Sequence, residues 1–242
     1  MGLDVYVGAL TRYYAHDWET VVQRAGREQG IPVEIQRWNE PADAIQDPAL
    51  IREMVLAWRS GISQSLRRAG LIEADLEWRE GAETPYFTDK PAWDCYGAIQ
   101  LLAAYEENEK PIFGSPFPKK LRSDWQQDSV LTSLQQAKFA PRYAHLYGCE
   151  LWLPANLKTP FHGPAPTGNS TRIGSVDALL SELETLNERT YKGGHDQLVR
   201  WRNEMPEGED DRFEPKAKTG LAIMLELTAA ARRERLPIIL DY

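Results

Sequence analysis

The chain has 242 residues, 42% of them hydrophobic and 26% charged, an ordinary globular usage that excludes intrinsic disorder and suffices for a sizeable core. Twenty-eight basic against 36 acidic side chains leave a net charge of −8, which repels nucleic-acid backbones and anionic headgroups. The sequence holds no apolar run of about 18 residues and no secretory pattern, and Cys95 and Cys149 are too few for a disulfide framework. One domain over residues 1–242, in the cytoplasm and with no membrane or nucleic-acid partner, is expected.

Residues 3–7 alternate apolar positions with Asp4 and Tyr6, the period of a strand with one buried face. Trp18, Val21, Val22 and Ala25 then recur at helical spacing, with Asp17 as the N-cap and Gly30 and Pro32 beyond the last turn, which predicts a helix over 17–29. Residues 33–38 alternate as a second strand, followed by a turn at 39–41. The next helix has Asp47 as its cap, Pro48 at its first position, a stripe of Ile51, Val55, Trp58, Ile62 and Leu66, and Gly70 at its end; Gly61 marks a kink.

Leu76 and Trp78, set against Asp75 and Glu77, predict a short strand; 86–88 predicts another, and 91–107 a helix with Ile99, Leu102 and Tyr105 inward. The proline-rich segment 111–120 reads as a surface crossing. Ser123 and Gln126 have the spacing of a capping box for a helix over 124–138. Residues 150–153 alternate as a strand. The segment 154–174 holds seven Gly or Pro and no helical pattern, so it is either a functional loop or a hairpin whose returning arm is 171–173.

Ser175 caps a helix with Val176, Leu179, Leu180, Leu183 and Leu186 inward, ending near Gly193 and Gly194. A smaller amphipathic piece surrounds Leu198 and Trp201, an acidic loop spans 204–214, and a helix over 215–235 is apolar around much of its circumference, as a central helix is. Residues 236–242 close the chain as a strand. About six helices and a mixed or antiparallel sheet of five to six short strands result. Because most strands alternate, the sheet is expected to keep one face wet, which gives the α+β class.

Phosphate-loop, dinucleotide-binding, zinc-protease, dithiol and nucleophile-elbow motifs are all missing from the sequence, and no cofactor or metal is expected. His145 and Cys149, four apart, would need His162 and Cys95 to complete a zinc site; the simpler account is a buried thiol beside a hydrogen-bonded histidine. Arg172, Gly174 and Ser175 precede a helix N-terminus, where a guanidinium and free N–H groups suit an anion, although Ser175 is also explained as a cap. Arg12, Tyr13, Tyr14, His16 and Asp17 follow the first strand, a junction that often carries binding groups. Packing of both tyrosines over the sheet edge accounts for them structurally. Eight tryptophans are mostly core residues by position, with Trp38 and Trp201 the least explained. Asp4, Asp94 and Glu150 fall in or beside regular elements, but paired-carboxylate chemistry needs a separation that spacing does not supply.

The opening MGLDVYVGALTRYY, WLP at 152–154 and IGSVDALLSELETLN resemble a type of bacterial protein described only as hypothetical. The resemblance implies a bacterial cytoplasmic origin and supplies no activity.

These readings lead to a non-catalytic binding or interaction protein, one concrete form being an immunity-type neutraliser of a basic toxin, since acidic surfaces steer cationic partners. Its candidate binding residues are Arg12, Tyr13, Tyr14, His16, His162 and Arg172. The alternative is a hydrolase or transferase for a small anionic substrate, with Arg172 as anion anchor, His16 or His162 moving the proton, and 154–174 as a lid. A structural subunit is the third possibility.

Overall fold

The computed structural model describes residues 3–33, 47–73, 76–108, 117–135, 140–204 and 211–242. The expected strand beyond residue 33, the turn at 39–41, Trp38, the end of the helix predicted to reach 138, and the greater part of the 111–120 crossing and of the 204–214 loop lie outside those residues.

Six strands form one mixed sheet. These are β1 (Asp4–Val7), β2 (Phe87–Asp89), β3 (Leu151–Leu153), β4 (Phe161–Pro164), β5 (Ser170–Ser175) and β6 (Ile238–Asp241), in the order β2-β1-β6-β3-β5-β4. Every pairing is antiparallel except that of β3 with β5. Eight α-helices accompany it among the described residues, two more than the patterning suggested. The α+β class stands.

The expected wet face does not occur. Val5, Val7, Trp152, Ile238 and Leu240 meet α4 (Ala92–Asn108), α6 (Val176–Arg189) and α8 (Phe213–Glu234) on one side. Leu151, Leu153, Ile173 and Ile239 meet α1 (Leu10–Tyr14) and α3 (Pro48–Arg68) on the other. The polar positions of β1 are buried as well. Tyr6 packs at a tilt against Tyr13 and Trp18, with ring centroids at 5.3 and 4.9 Å, while Asp4 accepts a bond from Lys90 Nζ at 3.1 Å. Alternation in this sheet therefore separates two kinds of packing rather than core from solvent.

The predicted helix over 17–29 shortens to α2 (Val21–Glu28), and its cap moves. The chain turns at His16, with φ of 55°, and Thr20 forms a capping box with Gln23: the Gln23 N–H donates to Thr20 Oγ1 at 3.2 Å and the Thr20 N–H to Gln23 Oε1 at 3.0 Å. Two reciprocal bonds outcompete the single acceptor that Asp17 offers. The helix predicted over 124–138 breaks in the same way. A 3₁₀ turn at Trp125–Gln127 precedes α5 (Ser129–Gln135), because Asp128 Oδ1 accepts the Val130 N–H at 2.9 Å and starts the helix there, leaving Ser123 without a capping role.

Leu76 and Trp78 are buried, yet they lie in no strand. Side chains of α3 take the place of a strand partner: Ser63 Oγ accepts the Leu76 N–H at 3.1 Å, and Arg59 donates to the Trp78 carbonyl at 2.7 Å. Helix α3 runs unbroken through Gly61. The segment 154–174 folds back as the β4–β5 hairpin, with Gly168 at φ 88° in its tip, a conformation open mainly to glycine. Ser175 caps α6 as expected, accepting the Ala178 N–H at 3.2 Å. No helix among the described residues is long and apolar enough to cross a membrane.

Helices α4 and α8 cross in close contact at Gly220. A Cβ built there would overlap the Cys95 carbonyl and lie 3.0 Å from Ile99 Cγ2. Gly220→Ala is expected to lower stability by about 1–3 kcal/mol through overpacking, read as a drop in the denaturation midpoint at unchanged slope.

Near the end of α4, the Glu106 carboxylate accepts bonds from the Tyr143 hydroxyl and Arg189, and from Arg142 at 3.0 Å. Burial raises its pKa, but those three donors together outweigh burial and hold the carboxyl below its ordinary 4.5. A depressed carboxylate contributes stability that is present above 4.5 and lost as pH falls through its folded-state value. Glu106→Gln should therefore be destabilised most at neutral pH, with the gap to wild type closing on acidification below 4.5; denaturant titrations across pH measure it.

Candidate functional site

Helix α1 is five residues long, too short to persist alone, and Ala9 supplies no side-chain cap. The cap comes from Glu80, whose oxygens accept the N–H groups of Leu10 and Thr11 at 3.1 and 2.8 Å and also the Trp78 indole. Arg12 completes the clamp. Its guanidinium donates to the carbonyls of Thr84 and Ala82 at 2.8 and 2.6 Å and to Asp17 at 3.3 Å, and lies 5.1 Å from the Tyr86 ring centroid. Arg12 therefore fastens α1 to residues 82–86. With the helix fixed, Tyr13 and Tyr14 stand edge to face at 5.0 Å.

Those two rings form one wall of a cavity of about 240 Å³. The hairpin tip lines it through Ala165, Thr167 and residues 169–171, and Glu150, Asp241 and Tyr242 complete the polar part of the lining. The tip is closed by bonds from Ala165 N to Asn169 O at 2.7 Å and from Gly168 N to Ala165 O at 2.9 Å. Trp58 of α3 holds it by donating from Nε1 to the Pro164 carbonyl at 2.6 Å. The segment after β1 and the Gly/Pro-rich segment thus meet at one concave site.

Among the described residues, the cavity lining includes two carboxylates and no Lys, Arg or His. Asp241 Oδ1 accepts the Tyr13 hydroxyl at 2.7 Å; Glu150 accepts the Tyr242 hydroxyl at 2.6 Å on Oε1 and the Thr171 hydroxyl at 2.7 Å on Oε2. Burial, followed by the bond to Glu150 and its charge, pushes the Tyr242 phenol up to about 12, and burial also raises that of Tyr14. The phenols are therefore neutral donors at pH 7. Each carboxylate keeps lone pairs beyond the hydroxyls it accepts, and neither forms an ion pair among the described residues. The arrangement favours a positively charged or donor-rich group between aromatic rings.

The other sequence candidates lie elsewhere. His16 is exposed at the turn after α1. His162 and Arg172 are cross-strand neighbours on β4 and β5, with His162 exposed. Neither they nor Arg12 and His16 line this cavity or the larger one of about 510 Å³ between α7 (His195–Asn203) and the start of α8. The anion site suggested at Arg172, Gly174 and Ser175 is closed: Ser175 is fully buried and donates to the Ala155 carbonyl at 2.5 Å, and Gly174 packs under Trp152.

His145 is buried, with Nδ1 at 2.9 Å from Glu182, whose carboxylate also accepts the backbone N–H groups of His145 and Leu146 at 3.0 Å. Burial pushes the thiols of Cys95 and Cys149 up to about 11 and 12, so neither offers a thiolate at neutral pH. Among the described residues no group of three or more His, Cys, Asp or Glu is placed to hold a metal ion.

Comparison with protein-family models, curated proteins and solved structures finds no match to this chain. The cavity must be read from its own residues. Sequence reasoning reached Tyr13 and Tyr14 and named Glu150 only as a carboxylate near a strand. It missed Asp241, Tyr242 and Thr171, which no local pattern distinguishes from ordinary strand residues.

Glu80→Ala leaves three donors without their acceptor and should cost about 3 kcal/mol, with the largest loss of amide-exchange protection at residues 10–14. Equal loss of protection in α6 and α8 would show instead that the damage is global.

Proposed function

We propose that the protein is a non-catalytic binding module of the bacterial cytoplasm whose acidic, tyrosine-walled cleft receives a cationic side chain of a basic protein partner. The observation that carries this reading is the pairing of Glu150 and Asp241 in a small cavity with no cation among its described lining residues. Size supports a side chain as the occupant. Sites for drug-sized molecules span roughly 300–1,000 Å³, and this one has about 240 Å³. A net charge of −8 would steer such a partner toward the protein, and the same charge disfavours nucleic acid. Neutralisation of a cationic toxin is one concrete form of the activity.

The alternative reading, a hydrolase or transferase acting on a small anion, draws less support. Arg12 is engaged by two backbone carbonyls, and His16, His162 and Arg172 line neither cavity.

Calorimetric titration with an arginine-rich peptide and its citrulline counterpart tests the proposal. Wild type is expected to bind the arginine peptide, to lose affinity steeply with salt, and to ignore the citrulline peptide. Glu150→Gln combined with Asp241→Asn should weaken binding at least tenfold, about 1.4 kcal/mol, while preserving the far-ultraviolet circular dichroism spectrum. Equal binding of both peptides, or an unaffected double variant, would overturn the cleft as the site. Recovery from host extract of one basic partner by wild type and not by the double variant would extend the result to the natural ligand.

A further inference from the structure

The larger cavity differs from the acidic cleft in size, walls and charge. Three rings follow one another along its side, Phe117 and Tyr191 with centroids 6.4 Å apart and Tyr191 meeting Trp201 edge on at 5.8 Å, while the fully buried Phe213 backs Phe117, nearly parallel at 6.4 Å. The sequence builds this wall from separated segments. Gly193 leaves room for the Trp201 ring, which would collide with a Cβ there at 2.5 Å, and Thr219 Oγ1 donates to the Trp201 carbonyl at 3.1 Å, tying α7 to α8.

Charge enters through Lys218. Its ammonium sits 5.1 Å from the Tyr191 centroid and 5.2 Å from that of Trp201, and it pairs with Glu214 at 2.5 Å. Among the described residues, Lys119 and Arg212 also line the cavity, so three cations stand against Glu204 and Glu214. A cationic ligand would meet Lys218 already lying over two of the rings. A flat ring can pack edge or offset against the aromatic wall at separations of roughly 4.5–7 Å, and an anionic substituent on it would face the lysines. A volume of about 510 Å³ falls inside the range for a free small molecule.

We propose that this cavity binds a small aromatic anion, a flat ring bearing a carboxylate or a phosphate, at a site separate from the acidic cleft. The ring packs against Phe117, Tyr191 and Trp201, and the anionic group is held by Lys218 and Lys119.

The test titrates the intact chain with phenyl phosphate, benzoate, inorganic phosphate and benzyl alcohol, by calorimetry and by the indole N–H resonance of Trp201, assigned from Trp201→Phe. The ring-bearing anions are expected to bind at least tenfold more tightly than phosphate or the uncharged alcohol and to shift the Trp201 resonance. Their relative affinities decide between carboxylate and phosphate. Lys218→Gln and, independently, the exposed Lys119→Gln should each weaken binding several-fold, with the alcohol unaffected. Glu150→Gln should leave it unchanged, so that failure here and failure of the cleft reading are separate results. Inorganic phosphate binding as tightly as phenyl phosphate, a stationary Trp201 resonance, or indifference to both lysine variants would overturn the proposal.

Discussion

The buried carboxylate of Glu80 is the constraint on which the acidic cleft depends. It is 7% exposed and touches no described cation; its charge is instead distributed over two backbone N–H groups and one indole N–H. Charge-assisted bonds of this kind are roughly twice as strong as neutral ones, and together they hold a five-residue helix that hydrogen bonding within the helix would not sustain. Arg12 adds a second fastening to residues 82 and 84. Both fastenings reach the same stretch of chain, which α3 in turn anchors through Arg59. The tyrosines of the cleft are thus placed by a relay from α3 through residues 76–86 to α1.

Much of this architecture was legible in the sequence, for a physical reason. Helices α3 and α6 carry long apolar stripes together with strong end signals, and α4 and α8 broadly apolar surfaces; local patterns of that kind predict local structure. The errors arose where a distant group supplied what the local sequence lacked. Residues 76–78 have the pattern of a strand, but Ser63 and Arg59 take their backbone bonds. The cap of α2 is the exception: the local box of Thr20 and Gln23 makes a better cap than Asp17, and its spacing was present in the sequence. The wet face was misjudged because Asp4 and Tyr6 look like solvent positions until Lys90 and the rings of Tyr13 and Trp18 cover them. The cleft itself is a product of register. Pairing of Asp4 with Asp241 across β1 and β6 sets which way the second carboxylate faces, and no local motif encodes that.

The two cavities divide the recognition chemistry of the molecule. One is small and acidic, with hydroxyl donors already in place on its carboxylates; the other is larger and ring-lined, with Lys119, Arg212 and Lys218 on its described lining. Among the described residues they share no lining residue. The first rests on the hairpin and α1, the second on α7 and the start of α8. Occupancy of one therefore makes no direct contact demand on the other.

The place of β6 bears on how the protein is made. It lies between β1 and β3 and pairs with both, yet it follows them in sequence by the whole of α6, α7 and α8. While the chain emerges from the ribosome, β1 and β3 have no common neighbour, and their apolar edges wait for residues 238–241. Such a topology has high contact order and closes slowly, and the interval is one in which unpaired strand edges are open to other chains. The nascent form would profit most from a chaperone just before β6 arrives, when every helix of the larger core has been synthesised and the sheet is still in two pieces.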